Sequence, residues 1–181
     1  MKRICLLILG VVLIPCTAHA QQPAQQSANP VSDFVRQTVE RESKNIIAAA
    51  EEMPADKYDF HPTPAQMTFG HLVMHMAGSN NFLCSKISGV EAPTQEKLTE
   101  TDPKDKLVAA LKSSFDFCTT SLAKVDDSNL GEPLTLFGGW KTTRAGAMIA
   151  LTDDFYDHYS MAAMYLRLNG LLPPTAQHKK G

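Results

Sequence analysis

The chain has 181 residues, of which 44% are hydrophobic, with 17 basic and 19 acidic side chains. No basic stripe is present, which argues against a nucleic-acid partner. The length suits one domain with a full-sized core.

Lys2 and Arg3 open the chain, an apolar run without acids follows from Ile4 to Ile14, and Ala18-His19-Ala20 reads small-x-small. This is the pattern of a secretory signal peptide over residues 1–20, so the mature chain is expected to begin at Gln21 and to be exported, periplasmic or secreted. The run is too short for a membrane helix and no later segment nears that length, so no stable membrane insertion is expected after cleavage. A lipoprotein acylated at Cys16 is the rival reading, but Pro15 directly before the cysteine suits that processing poorly. Loss of Lys2 and Arg3 leaves 15 basic against 19 acidic residues, a net charge near −4.

Residues 21–30, QQPAQQSANP, read as a disordered polar spacer. A helical domain is expected over residues 31–175, with a polar tail at 176–181. Its first helix runs from about Ser32 to Met53, with Phe34, Val35, Val39, Ile46, Ile47 and Ala50 on the apolar side and Pro54 as terminator. Tyr58 and Phe60 pin the proline-rich link that follows. Thr68 then caps a second helix whose core stripe is Phe69, Leu72, Val73, Met76, Leu83 and Ile87.

The polar stretch from Val90 to Thr101 is long for a helical hairpin and fits a connection across the end of a bundle. A third helix opens near Thr101 or Asp102, with Pro103 in its first turn, and runs to about Val125. Leu107, Ala110, Leu111, Phe115, Cys118 and Leu122 face inward. A second long link, Asp126 to Lys141, carries Pro133 and Gly138-Gly139, while Leu134, Leu136, Phe137 and Trp140 tuck under the bundle. Thr142 or Thr143 caps the fourth helix, Gly170 closes it, and Pro173-Pro174 forbid continuation. Its stripe is Met148, Leu151, Phe155, Tyr159, Ala162 and Leu166. No stretch alternates with period two, so no sheet is expected, and four such helices make a bundle.

Two cysteines leave with the signal. Cys84 and Cys118 remain on separate helices, either as a disulfide or as two small buried apolar residues.

The residues that carry chemistry are few. Asp154 and His158 lie four apart on the last helix, beside its apolar stripe, whereas Asp153, Asp157 and Arg167 fall on the watery side. On the second helix His71 and His75 are also four apart, a spacing at which two imidazoles can meet one ion. His71 lies almost opposite the middle of the apolar stripe and His75 nearer its flank, so His75 is the preferred ligand and His71 is read as solvated. No Ser-His-Asp or Cys-His arrangement and no further general base stands out, so catalytic residues are unknown.

The patterns YDFHPTP, TFGHLVMHMAGSNNFLC and DDFYDHYSMAAMYLRLNGLLPP resemble the DinB-like superfamily over nearly the whole mature chain. Tyr165-Leu166-Arg167, Asn169-Gly170 and Pro173-Pro174 are the most specific part. The resemblance implies an all-α four-helix bundle in up-down-down-up order, which explains the long link between helices two and three. It also implies a divalent metal, usually zinc or nickel, on three histidines, one on helix two and two on the last helix. Carried across, the ligands match His75, His158 and Asp154, the last standing where the family commonly has histidine. A His-His-Asp set also suits manganese, and the change equally fits a site that has lost its metal. Ser160-Met161 departs from the Gly-Gln often found there.

Some relatives are thiol-using transferases and others are regarded as metal-dependent hydrolases, so a metal-dependent hydrolase or transferase of an unknown small molecule is implied. Export argues against chemistry that uses a cytoplasmic thiol. The alternative is a non-catalytic envelope binding module. Relatives are often dimers, so a homodimer is implied as well.

Overall fold

The computed structural model describes residues 27–94 and 96–177. The expected signal segment, most of the spacer and the last four residues lie outside the described residues. Four long helices carry the fold: α1 (Pro30–Glu52), α2 (Phe69–Ser88), α3 (Lys104–Leu122) and α4 (Arg144–Leu168). The direction of each is legible in its cross-contacts. Asn80 Nδ2 donates to Ser114 Oγ and Cys84 is bonded to Cys118, so positions advance together along α2 and α3 and the two run parallel. Tyr165 Oη donates to the Met67 carbonyl near the start of α2, and Arg144 donates to the Ile87 carbonyl at its end, so α4 runs antiparallel to α2. Arg36 near the start of α1 bonds the Val125 carbonyl just past α3, and Glu51 at the end of α1 pairs with Lys112. The order is therefore up, down, down, up, with α1 and α2 on one diagonal and α3 and α4 on the other.

Local chemistry sets the helix ends. Thr68 Oγ1 accepts from the His71 amide at 3.0 Å and Thr143 Oγ1 from the Gly146 amide at 3.2 Å. Pro30 occupies the first turn of α1, so the helix begins slightly earlier than expected. Its free amides are met in trans: Val31 and Ser32 both donate to the Asp127 carboxylate at 2.9 Å. The stripe predicted for α2 is buried throughout. So is that of α4, except that Tyr159 is only partly covered. In α3, Val108 is buried while Ala110 sits at the border.

Three expectations are corrected. Phe34 is 53% exposed rather than core, because the buried face of α1 centres on Val35, Val39 and Ile46 and is completed by Ser32, Thr38 and Glu42. A sheet does exist: β1 (Pro133–Thr135) and β2 (Lys141–Thr143) pair antiparallel, with Pro133 opposite Thr143. Three residues per strand are too few to show alternation in the sequence. Finally, Leu136 tucks in as expected, but Phe137 and Trp140 are 59% and 47% exposed. Gly138 and Gly139 turn the chain at positive φ (61° and 78°), which places the two aromatics at the hairpin tip.

The first link behaves as read. Tyr58 is buried and donates to the Ala50 carbonyl at 2.7 Å, and Phe60 packs edge-on against Tyr165 with centroids 5.9 Å apart. Cys84 and Cys118 form a disulfide. Among the described residues, no helix is long and apolar enough to cross a membrane.

Candidate metal centre

The Thr68 cap fixes the start of α2, so His75 emerges in its second turn on the flank that faces α4. Across the antiparallel pair stand Asp154 and His158, one turn apart. Each of the three offers one ligand atom, and these atoms all lie within 4.8 Å of one another. The two imidazoles face each other at a tilt, with centroids 4.8 Å apart. His158 is buried, Asp154 half-buried and His75 exposed, so the group opens towards solvent from the α4 side outward.

The hydrogen bonding around His158 selects its tautomer. Nδ1 lies 2.7 Å from the Asp154 backbone carbonyl, which only accepts, so Nδ1 carries the proton and donates. Nε2 is then left with its lone pair free, the arrangement found in metal-ligating histidines. Nδ1 is also 3.4 Å from Asp154 Oδ1. Burial pushes the His158 imidazole down, but the Asp154 carboxylate and carbonyl outweigh burial and hold it above the ordinary histidine value. His75 moves the other way. Partial burial and the neighbouring His158 lower it, against the opposing pull of Asp154.

His71 is not one of the three. Its Nδ1 lies 3.0 Å from Glu100 Oε2, and the same oxygen accepts from Thr68 Oγ1 at 3.1 Å, so His71 ties the start of α2 to the α2–α3 link. His61 bonds the Thr63 carbonyl within its own loop at 2.8 Å. Sequence reasoning overlooked Ser79, whose Oγ lies 3.4 Å from His75 Nε2. Its place four residues after His75 was the available signal. A cleft of about 550 Å³ lies at the far end of α2, lined by Ser88, Phe117, Lys124, Asp126 and Arg144 among others. It shares no residue with the His-Asp-His group, which is an open surface site.

The donor set fits a divalent ion. Two ligand atoms about 2.0–2.2 Å from one zinc cannot be more than roughly 4.4 Å apart, and at the tetrahedral angle they are nearer 3.4 Å. Closing the widest pair from the observed limit of 4.8 Å therefore requires only small side-chain rotations on two rigid helices. Three protein ligands leave at least one position open.

Solved structures with the same fold include the DinB-like protein YjoA of Bacillus subtilis, 20% identical, covering 81% of this chain and 99% of that one with a TM-score of 0.63. YfiT of Bacillus subtilis, described as a probable metal-dependent hydrolase with an unusual four-helix bundle topology, is 16% identical, covering 83% and 94% with a TM-score of 0.63. A mycothiol-dependent maleylpyruvate isomerase is 12% identical, covering 71% of this chain and 59% of that one with a TM-score of 0.58. At such identities the likeness concerns the fold alone. No curated protein matches the sequence. The sequence model described as the DinB superfamily matches residues 38–158, about two thirds of the chain, running from the third turn of α1 to His158 itself. With its parallel α2–α3 pair and its matched sequence, the chain belongs to the DinB superfamily.

Proposed function

We propose that His75, Asp154 and His158 hold a divalent metal and that the protein is an exported metal-dependent hydrolase or transferase acting on a small molecule. The observation that carries this reading is the convergence of three ligand atoms within 4.8 Å from two packed helices. Zinc or nickel suits two imidazoles, and the carboxylate extends the range to manganese. Such an ion would supply Lewis acidity and a water or substrate group of lowered pKa. The chain's own residues hold the site: α2 and α4 fix the ligand backbones, and the Asp154 carbonyl fixes the His158 tautomer. Ser79 stands within reach of His75. YfiT, described as a probable metal-dependent hydrolase, lends support from the same fold. The neutral-to-acidic surface gives no reason to invoke nucleic acid. A homodimer remains part of the proposal.

The test is metal analysis of protein purified without a histidine tag. Stoichiometric metal, lost in His158→Ala and kept in Asp154→His, is the expected result. One observation favours a second reading. Asp154 Oδ1 lies 3.4 Å from His158 Nδ1, and that ion pair can satisfy both groups without a metal. In that case the protein is a non-catalytic binding module of the cell envelope, and tagless protein would contain no stoichiometric metal and would gain no stability on adding zinc, nickel or manganese.

A further inference from the structure

Beyond the metal centre, one surface feature shares its face. Phe82 follows His75 by seven residues on α2, which is two turns, so both side chains leave the helix on the same side about 10 Å apart along its axis. Ser79 lies between them. Phe82 packs on Phe137 with centroids 6.2 Å apart, and Phe137 on Trp140 at 6.0 Å. Lys86 stands over the Phe82 ring at 5.6 Å. Gly146 allows the hairpin to come so close to α4: a Cβ there would sit 2.1 Å from Thr142 Oγ1. The hairpin tip is thus held beside the strip of surface that runs from Phe82 to His75.

Exposed aromatics of this size need an explanation. Partly covered rings of this kind offer roughly 300 Å² between them, well short of the roughly 800 Å² per partner of a stable protein interface. A second copy of the chain held by this patch alone is therefore a poor occupant. A small molecule reaching from the metal centre to the hairpin is a good one.

Resting on the metal reading above, we infer that the substrate carries an apolar, aromatic-compatible tail. Its polar reacting group lies at His75, Asp154 and His158, and its tail stacks on Phe82, Phe137 and Trp140. The tail determines affinity and selectivity, and the metal centre performs the chemistry.

Trp140 is the only tryptophan in the sequence, so its emission reports on this patch directly. The experiment titrates zinc-loaded protein of measured zinc content with acetohydroxamate and with a phenyl-terminated hexanohydroxamate. The tailed probe is expected to bind about tenfold tighter and to change Trp140 emission, and Phe137→Ala is expected to erase that advantage with zinc content unchanged. Phe137 is exposed, so the substitution leaves the fold intact. Equal affinities of the two probes, or a tail advantage that survives in Phe137→Ala, would overturn the inference while the zinc content upholds the metal reading. Self-association that Phe137→Ala abolishes would assign the patch to a second copy and overturn it likewise. Absence of bound zinc would remove the metal reading and this inference with it.

Discussion

At position 154 the chain has a carboxylate where the resemblance implies an imidazole, and the consequences are electrostatic. The carboxylate favours the protonated form of His158, whose folded-state value lies above the ordinary one. A group raised in this way contributes stability below its unfolded value of about 6.5, and that contribution is lost as pH rises through the folded value. His75 is lowered and works in the opposite sense, costing stability as pH falls. A metal requires both imidazoles neutral at the ligating atom, so it competes with protons. The rise in melting temperature produced by saturating zinc is therefore expected to grow between about pH 6 and pH 8, and calorimetry in two buffers near pH 6.5 should show proton release on binding. In Asp154→His the carboxylate's raising influence on His158 is lost, but a third imidazole then competes with protons, so zinc binding should depend more steeply on pH than in the parent. A zinc-induced shift that does not vary with pH in either protein would count against imidazole ligation. The pairing of Asp154 with His158 was legible in sequence because four residues bring side chains to one face. The partners of His71 were not, because Glu100 comes from a link 29 positions away whose path no local pattern encodes.

Among the elements, α2 and α4 matter most, since each carries part of the centre and the two must keep their register. Phe155 follows Asp154 in the chain, is buried in the core, and packs on Phe115 of α3 with centroids 5.5 Å apart. Phe155→Ala should cost about 3–5 kcal/mol of stability, read from denaturant unfolding of the metal-free protein. Phe34→Ala on α1 should cost less than about 0.5 kcal/mol, since that ring is half-exposed. Equal effects would mean that the α1 stripe is misassigned. The same contrast explains which elements were readable. In α2 and α4 the apolar residues recur with helical spacing and the caps are threonines, so stripe and start both emerge from the sequence. In α1 the buried face includes Ser32, Thr38 and Glu42, polar residues that no apolar pattern marks: Ser32 is held by the distant Asp127, and Glu42 by its own helix neighbours Arg41 and Asn45. The three-residue strands of the hairpin are fixed by Leu136 donating to the Trp140 carbonyl at 2.8 Å and by the glycine turn, not by any periodic signal.

For the molecule as a whole, the decisive feature is the parallel pair of α2 and α3. Parallel neighbours need a connection as long as the bundle, and the stretch from Gly89 to Pro103 provides it as a polar link that is mostly exposed among its described residues. Such a link does little to hold its helices in register. The disulfide between Cys84 and Cys118, 34 residues apart, closes that loop covalently near the end remote from the link's landing point on Thr68 and His71. In the chain-entropy account a loop of that length contributes about 3–4 kcal/mol by restricting the unfolded state. Cys84→Ala with Cys118→Ala, or reduction of the parent, should accordingly lower the melting temperature by roughly 10 °C. The bond forms and persists only in an oxidising compartment, which ties it to the proposed export. Protein recovered from outside the cytoplasm is expected to begin at Gln21 and to weigh two hydrogens less than the reduced chain. Intact-mass measurement checks both points at once. An acylated Cys16 at the N-terminus would replace cleavage after Ala20 with lipoprotein processing. Free thiols at Cys84 and Cys118 in the exported protein would leave the α2–α3 register to packing and the Asn80–Ser114 hydrogen bond, and the melting temperature of the double alanine variant would then match that of the parent.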